Sequence, residues 1–286
     1  MFKYLTFDLE DWFHILDNPK TANPEQWIEF PSRIEITLEP ILKLCDRYDI
    51  KATFFCLGWI AEKYPHLIKR IYEKGHHIGT HGYAHQLVYK QTPEEFREDL
   101  RKSIDILESI VDISVKAYRA PGFSITSKNL WAFDILYEEG IRYDSSIFPA
   151  LRSHGGMPGL KVQMPFKLVT PMGFELHEYP LSVVKLFGFY IPYSGGGYFR
   201  LLPRQLLAIL FKNSEYQMTY FHPRDFDAKQ PLIPGMTAFR RFKSYYGIRR
   251  CEGNLEFILK QNKFCSSPLH ALAGSKIGIV KISEVE

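Results

Sequence analysis

Residues 51–81 read KATFFCLGWIAEKYPHLIKRIYEKGHHIGTH, and they predict a strand, a helix and a second strand in succession. The run KATFFCL (51–57) is apolar and rich in aromatic residues, which is typical of a buried strand. Helical spacing of apolar residues from about Ile60 to Lys74 ends at Gly75, a common C-terminal capping residue. HHIGTH (76–81) then predicts the next strand. Two strands joined by a helix in this way are typical of a parallel sheet.

The same alternation extends along the chain. Further strands are predicted at 3–8, 115–119 and 141–146, and helices at 32–48, 93–111 and 126–140. Ser32 with Glu35 predicts a capping box, and Thr92 ahead of Pro93 predicts a helix start. Later segments predict strands at 174–182 and 216–222, helices at 203–212 and 252–261, and a glycine-rich turn at 194–200. Because strands alternate with helices, we expect an α/β fold with parallel strands and helical crossovers.

Composition limits the class of protein. The chain has 286 residues with 36 basic and 32 acidic side chains, and its net charge of +4 does not indicate a nucleic-acid binder. Its four cysteines form no C-x-x-C pair, which is typical of reduced thiols. The sequence shows no signal-peptide pattern and no apolar run near the roughly 20 residues of a spanning helix. We expect a cytoplasmic protein with one domain over 1–286, in which 224–286 form a C-terminal extension packed on it.

Ionisable residues collect at the ends of the predicted strands. In a closed parallel barrel the carboxyl ends of the strands meet on one face, where active sites are built. We therefore expect one site made from the residues at or just beyond these ends: Asp8, Glu10, Asp11, His81, His85, Arg119, Asp144 and His222.

Each of these residues also has an ordinary structural explanation. His81 and His85 fit a polar loop, Arg119 fits a salt bridge, and Asp144 fits a turn. However, FDLED (7–11) crowds three acids together, and their mutual repulsion is costly unless a cation is present. Two imidazoles and one carboxylate would leave an open position for water on a divalent ion. Taken together, the residues predict a metal site.

Six segments, in order along the chain, resemble the motifs of the polysaccharide deacetylases, carbohydrate esterases that remove N- or O-acetyl groups. They are TFDLED (6–11), ATFF (52–55), HIGTHGYAH (77–85), YRAPGF (118–123), YDSSIFP (143–149) and YFHP (220–223). The resemblance implies a distorted (β/α) barrel of about seven parallel strands. GGGYFRLLP (195–203) and the segment after His222 resemble a subgroup from bacterial surface-polysaccharide synthesis.

The resemblance implies roles for the metal ligands and the base. His81 and His85 would bind the metal. Asp8 would be the general base, and Arg119 would orient it. In many members of the family, the aspartate directly after the base supplies the metal carboxylate, whereas Leu9 stands there in this chain.

The metal carboxylate must then be Glu10 or Asp11. Alternation along a strand puts Glu10 on the same face as Asp8, which favours Glu10. If the strand ends at Leu9, Asp11 could reach the ion instead. A second departure from the family is Gly82, which stands where relatives usually carry a small hydroxyl residue.

The resemblance also implies an acid and a pocket. His222 would be the general acid, and Asp144 is a candidate for tuning its protonation. Pro121, Gly122 and Phe123 would line the pocket, and a backbone N–H among them would help to bind the oxyanion.

These residues predict a metal-dependent hydrolase that removes an acetyl group, with N-acetyl favoured, from a sugar in a glycan or glycan precursor. The expected cofactor is one divalent ion, zinc by preference, with cobalt, nickel and manganese as alternatives. The expected partner is an acetylated sugar, nucleotide- or lipid-linked, and not a nucleic acid. Three alternatives remain: hydrolysis of a cyclic imide or ureide, a non-catalytic carbohydrate-binding protein, and a purely structural metal.

Two sets of aromatic residues could contact a substrate or a membrane. The candidates for stacking on sugars are Trp12, Phe13, Phe123, Tyr193 and Tyr198. Aromatic residues near strand ends are, however, more often in the core. FRRFKSYYGIRR (239–250) interleaves basic and aromatic side chains. Its ordinary explanation is a solvated helix face. Its functional one is weak docking at a membrane surface, where a phosphate-bearing carrier would be met.

Overall fold

The computed structural model describes residues 2–284 except 17, 153, 161, 187, 234, 268 and 270–277. Its strands are β1 (Phe2–Tyr4), β2 (Thr6–Leu9), β3 (Thr53–Cys56), β4 (His77–Thr80), β5 (Ala117–Tyr118), β6 (Tyr143–Asp144), β7 (Phe166–Val169), β8 (Glu175–Glu178), β9 (Val183–Leu186), β10 (Phe189–Pro192), β11 (Tyr216–Met218) and β12 (Gly278–Lys281). Its helices are α1 (Ile34–Arg47), α2 (Gly58–Lys63), α3 (Pro65–Glu73), α4 (Pro93–Val111), α5 (Trp131–Glu138), α6 (Gly196–Leu201), α7 (Arg204–Asn213), α8 (Ala238–Tyr245) and α9 (Ile248–Gln261).

Parallel pairing runs from β2 through β3, β4, β5 and β6 to β8. On the other side, β1 pairs in parallel with β11, and Phe7 bridges to Phe221. With β1 and β2 counted as one strand, these are seven parallel strands among the described residues. Side chains join β11 to the segment after β8, since the Met218 amide donates to Ser182 Oγ at 2.8 Å. The predicted α/β fold, a distorted (β/α) barrel, is confirmed.

Some local predictions were wrong for physical reasons. The single helix predicted over 60–74 is two helices, because Pro65 has no amide hydrogen and begins α3 as its first residue. Ser32 and Glu35 do not cap α1 together. Ser32 Oγ donates to Asp11 Oδ2 at 2.6 Å, and Glu35 pairs with His66.

The region from 150 to 202 departs most from expectation. β7 runs antiparallel to β8 and pairs in parallel with β12. β9 and β10 form a separate antiparallel hairpin. Strands of four residues show too little periodicity to be separated from loops. The predicted glycine-rich turn at 194–200 contains most of α6.

The residues after His222 pack on the barrel. α9 packs against α7 and against the turn Pro223–Phe226, and the Cys265 amide donates to the Lys3 carbonyl at 2.7 Å. Of the expected extension over 224–286, residues 234, 268, 270–277 and 285–286 lie outside the described residues, so its extent stays a prediction. Within the described ranges, no helix combines the length and apolar character needed to cross a membrane.

Candidate metal and catalytic site

Glu10, His81 and His85 form a buried group with the donor atoms that a divalent ion requires. One ligand atom from each residue lies within 4.8 Å of the others. His81 directly follows β4, and its Nδ1 lies 2.7 Å from the carbonyl oxygen of Arg119. That contact orients the ring and leaves Nε2 as the ligand atom. Two imidazole nitrogens with one carboxylate are a donor set typical of zinc.

The structure separates the two carboxylates that the sequence left as alternatives. Asp11 accepts hydrogen bonds from Ser32 Oγ at 2.6 Å and from the Arg33 amide at 2.9 Å, so it holds the start of α1. Glu10 Oε2 lies 2.9 Å from His85 Nε2, in an orientation that gives it no hydrogen bond from a described residue. A buried carboxylate oxygen in that state fits a cation-binding role. Glu10 is therefore the candidate ligand, and the alternative of Asp11 is not supported.

Asp99 of α4 holds the loop between the two histidines. Its carboxylate accepts the amides of Tyr83 at 2.8 Å and Ala84 at 2.9 Å. Gly82 has a φ of +74°, and a Cβ at that position would lie 2.8 Å from Asp99 Oδ2. Any other residue would be strained at this φ, and its Cβ would press on the Asp99 carboxylate, which explains the glycine.

Asp8 lies at the end of β2 and is held by a buried arginine. Arg119 Nη1 donates to Asp8 Oδ1 at 2.7 Å, and Nη2 donates to Ser145 Oγ at 3.0 Å. The guanidinium also lies 4.2 Å from the ring centroid of Phe55 and is fully buried. Because Arg119 is held on several sides, it fixes the orientation of the Asp8 carboxylate.

His222 faces both carboxylates. Its Nε2 lies 3.5 Å from Glu10 Oε1 and 3.7 Å from Asp8 Oδ2, and 24% of its side chain is exposed. Asp225 Oδ2 lies 3.2 Å from His222 Nδ1, and Arg200 Nε lies 3.4 Å from Asp225 Oδ1. Burial lowers the pKa of His222, but the charges of Glu10, Asp225 and Asp8 outweigh burial and raise it. The raised pKa makes His222 available as a proton donor near neutral pH, and its exposed fraction leaves it partly open to solvent.

The carboxylate at Nδ1 of His222 is Asp225 and not Asp144, the candidate from the sequence. Asp144 is buried and accepts hydrogen bonds from the Ser146 amide at 3.0 Å and Ser146 Oγ at 2.7 Å. Sequence reasoning missed Asp225, although its position offered a signal. Asp225 stands three residues after His222 and accepts the His222 amide at 3.0 Å, which is the spacing of a capping residue.

Asp144 and Glu178 form a separate buried acid pair. Burial raises the pKa of Glu178 well above its usual range, and the charge of Asp144 raises it further. Burial also raises the pKa of Asp144. The pair therefore retains a proton at pH values where exposed carboxyl groups are ionised.

Replacing Glu178 with Gln should flatten the pH dependence of stability. The folded pKa of Glu178 is raised, so its contribution to the free energy of unfolding is complete below the unfolded pKa and is lost as pH rises through the folded pKa. Between those two pKa values the wild type should lose about 1.4 kcal/mol per pH unit through this group, and the variant should not. Denaturant titrations at about pH 5, 7 and 9 measure the slopes.

The control for this prediction is Glu175→Gln, which changes an exposed glutamate on the same strand. This control should keep the wild-type slope. A Glu178→Gln protein with the wild-type slope would show that the buried pair is ionised in the folded state.

Pro121, Gly122 and Phe123 form a tight turn after β5. Gly122 and Phe123 have φ values of +61° and +56°. The Phe123 amide donates to the Ala120 carbonyl at 3.0 Å, whereas none of the described backbone acceptors takes the amide of Gly122. The turn thus offers one backbone donor that is not used within it.

Most of the aromatic residues considered for sugar stacking are in the core. Trp12, Phe13 and Tyr193 are each at most 5% exposed, and Phe123 packs against Phe148 and Tyr220. Their rings offer no open face to a sugar. Tyr198 is 41% exposed and is the one member of that set with an accessible ring.

His14 is a further buried residue near the metal group, and sequence reasoning missed it. Its Nδ1 accepts the Asp11 amide at 2.8 Å, and its ring centroid lies 4.2 Å from that of Trp27 and 6.4 Å from that of His85. Burial lowers the pKa of His14 well below its usual value, so the ring is neutral. His14 supports the loop that follows Glu10. The run DWFH (11–14), with a histidine among aromatic residues, was the available signal.

The protonation states of Glu10 and His81 suit a metal ion. Burial would raise the pKa of Glu10, but the charges of His85 and His222 outweigh burial and lower it. Burial lowers the pKa of His81 to about 4, so its ring is neutral at neutral pH. A carboxylate and a neutral imidazole are the forms that bind metals. The residues present therefore fit a divalent ion.

Fold and site together define a (β/α)-barrel protein with a candidate metal centre at the carboxyl ends of its strands. Residues 22–135 match the family model for polysaccharide deacetylases, and residues 145–269 match one described as a domain of unknown function (DUF3473). Residues 22–135 are therefore a polysaccharide deacetylase domain. The first match includes His81, His85 and Arg119, whereas Glu10 and His222 lie outside it and join the site through the fold.

Several curated relatives match part of the chain, and two of them are deacetylases of peptidoglycan. A peptidoglycan-N-acetylglucosamine deacetylase from Bacillus cereus is 39% identical over 93 residues, which are 32% of this chain and 34% of the relative. A peptidoglycan deacetylase from Helicobacter pylori is 27% identical over 113 residues, 40% of this chain and 38% of the relative. The chain thus matches little more than a third of either relative. One similar solved structure is described as a polysaccharide deacetylase from Mycobacterium smegmatis and is 18% identical in sequence. The superposition covers 99% of this chain and 87% of that chain with a TM-score of 0.59, which shows the fold.

Proposed function

We propose that the protein is a metal-dependent hydrolase that removes an acetyl group, preferably N-acetyl, from a sugar in a glycan or glycan precursor. The observation that carries this proposal is the arrangement of Asp8 and His222 beside Glu10, His81 and His85. A protein that only binds carbohydrate, or that keeps a structural metal, needs neither a base nor an acid there. The family supports a carbohydrate substrate.

Glu10, His81 and His85 would hold the ion. Their nitrogen and oxygen donors favour zinc, with cobalt, nickel and manganese as alternatives. The chemistry that such an ion supplies is polarisation of the acetyl carbonyl and acidification of water. Asp8, oriented by Arg119, accepts a proton from the attacking water.

The remaining groups stabilise the developing charge and release the product. The amide of Gly122 donates a hydrogen bond to the developing oxyanion. An amine leaves poorly unless it is protonated, and His222 donates that proton. The products are acetate and an amino sugar.

The substrate in this proposal is an acetylated sugar on a nucleotide or lipid carrier, in cytoplasmic synthesis of surface polysaccharide. The resemblance of GGGYFRLLP (195–203) to that subgroup supports it. The deciding experiment is acetate release from acetylated nucleotide sugars, lipid-linked sugars and oligosaccharides, by protein reconstituted with zinc, cobalt, nickel or manganese. Metal-dependent acetate release supports the proposal. A tightly bound ion without acetate from any substrate, but with ring opening of a cyclic imide or ureide, would replace it.

Replacing Asp225 with Asn should slow release of an amine much more than release of a phenol. Asp225 holds Nδ1 of His222 and helps to keep it protonated. An aryl acetate needs no such proton, because phenolate leaves readily. We expect kcat on the N-acetyl sugar to fall about 10–100-fold, with KM and aryl acetate hydrolysis within about threefold of wild type.

Asp144→Asn tests the competing assignment for the same role. Asp144 contacts Ser146 rather than His222, so this variant should change stability and leave the ratio of amine to phenol release unaltered. If Asp144→Asn changed the ratio and Asp225→Asn did not, Asp144 would be the residue that tunes His222.

A further inference from the structure

α8 presents aromatic side chains to solvent. Large apolar side chains are more often buried in the core. Phe239 is 72% exposed, Phe242 is 49% exposed, and Tyr246, directly after the helix, is 40% exposed. Their spacing of three and four residues places them on one helix face. The rings of Phe242 and Tyr246 lie 4.7 Å apart, so they form a continuous apolar area. These three residues are named here the aromatic stripe.

Basic side chains border the aromatic stripe. Lys243 Nζ lies 5.6 Å from the ring centroid of Phe239, and the Arg250 guanidinium lies 5.1 Å from that of Tyr246. The segment 238–250 contains five basic residues and no acidic residue. An exposed apolar area edged by positive charge is complementary to an anionic lipid bilayer.

The aromatic stripe lies on a helix that contacts the catalytic side chains through one arginine. Arg200 Nη1 donates to the Ser244 carbonyl at 2.9 Å, and Nη2 donates to the Lys243 carbonyl at 3.2 Å. The same guanidinium pairs with Asp225, which holds His222. Arg200 therefore links α8 to the acid side of the site.

We propose that the aromatic stripe and its basic border bind the surface of an anionic phospholipid bilayer, so that the site beside them acts on a lipid-linked acetylated sugar. The choice of substrate rests on the proposed function, whereas the docking does not. Phenylalanine rings enter the boundary between headgroups and acyl chains, and lysine and arginine are attracted to anionic headgroups. A soluble polyanion would use the charges alone, which does not account for three exposed rings on one face.

Sedimentation with vesicles tests the docking. The protein is mixed with vesicles of phosphatidylcholine alone or with about 30% phosphatidylglycerol, at low and high salt. We expect at least about tenfold tighter binding to the anionic vesicles, weakened by salt. The double variant Phe239→Ser and Phe242→Ser should bind them at least about tenfold more weakly. Ile209→Ser removes a similarly exposed apolar side chain from α7 and should bind as wild type.

Equal binding to both kinds of vesicle, or wild-type binding by the double variant, would overturn the docking. So would a soluble polyanion such as heparin that binds the wild type and the double variant equally and abolishes vesicle binding. Acetate release from a water-soluble acetylated oligosaccharide separates the two proposals, because the double variant should keep it. Vesicle binding without acetate release from any substrate would leave the docking standing and remove the deacetylase activity. Acetate release without vesicle binding would support the deacetylase activity and overturn the docking.

Discussion

The Asp8→Asn protein should release acetate about 10²–10⁴-fold more slowly than the wild type while it still binds its metal. Asn keeps the size of the side chain and an oxygen that can accept from Arg119 Nη1, so the contact that now measures 2.7 Å should survive. The amide cannot accept a proton from water near neutral pH, so only the base function is removed. The measurement is kcat on the best substrate of the acetate panel, together with the metal content of each protein.

Asp227→Asn is the matched control for this change. Asp227 is also a buried carboxylate paired with an arginine, since Arg33 Nη2 donates to Asp227 Oδ1 at 3.0 Å. Loss of that charge should lower stability and leave the rate near that of the wild type. An Asp8→Asn protein that keeps both metal and rate would show that another group accepts the proton. Loss of the metal would instead make Asp8 part of the metal centre.

The site could be located from sequence because parallel strands end on a common face. Asp8, His81 and Arg119 stand at the ends of β2, β4 and β5, and His222 follows the residue that bridges to β2. These residues are far apart along the chain, yet the order of the strands makes them neighbours. Alternation of strands and helices predicted that order over the first half of the chain, which is why these residues were expected to lie near one another.

The choice between neighbouring carboxylates could not be made from sequence. β2 ends at Leu9, and the Glu10 amide then turns back to the Asp8 carbonyl at 3.0 Å, so strand alternation no longer applies. The difference between Glu10 and Asp11 comes from Ser32, which donates a hydrogen bond to the Asp11 carboxylate. Ser32 lies 21 residues after Asp11 along the chain. That contact depends on where α1 starts, and the start of α1 was itself mispredicted as a capping box.

The carboxylate that contacts His222 was also not predicted from sequence. The sequence contains both Asp144 and Asp225, and it is the turn after His222 that brings Asp225 to within 3.2 Å of His222 Nδ1. Asp144 is engaged instead by Ser146 and Glu178. Strand ends identify which residues can meet at a site. Short turns and helix starts decide which atoms do meet, and these carry little periodicity in sequence.

Glu10→Gln should lose the metal, whereas Asp11→Asn should keep it. Glu10 has a buried oxygen beside His85 Nε2, while the Asp11 oxygens accept from Ser32 and Arg33. We expect zinc affinity to fall at least about 100-fold in Glu10→Gln and in His81→Ala. Zinc at about 100 times the wild-type Kd should stabilise the wild type and Asp11→Asn by about 2.7 kcal/mol, and the two ligand variants by much less. Denaturant titrations with and without zinc, and zinc competition with a chelator, measure both quantities.

The comparison between Glu10→Gln and Asp11→Asn is informative because each removes one negative charge from the same short segment. A general loss of negative potential near the histidines would weaken zinc binding in both variants to a similar degree. A loss confined to Glu10→Gln can only come from ligation. The opposite pattern, with zinc lost in Asp11→Asn and kept in Glu10→Gln, would make Asp11 the ligand and would mean that α1 gives up its contact with Asp11 when the ion binds. Equal losses would make the histidines the whole of the protein's ligand set, with carboxylate charge acting only at a distance.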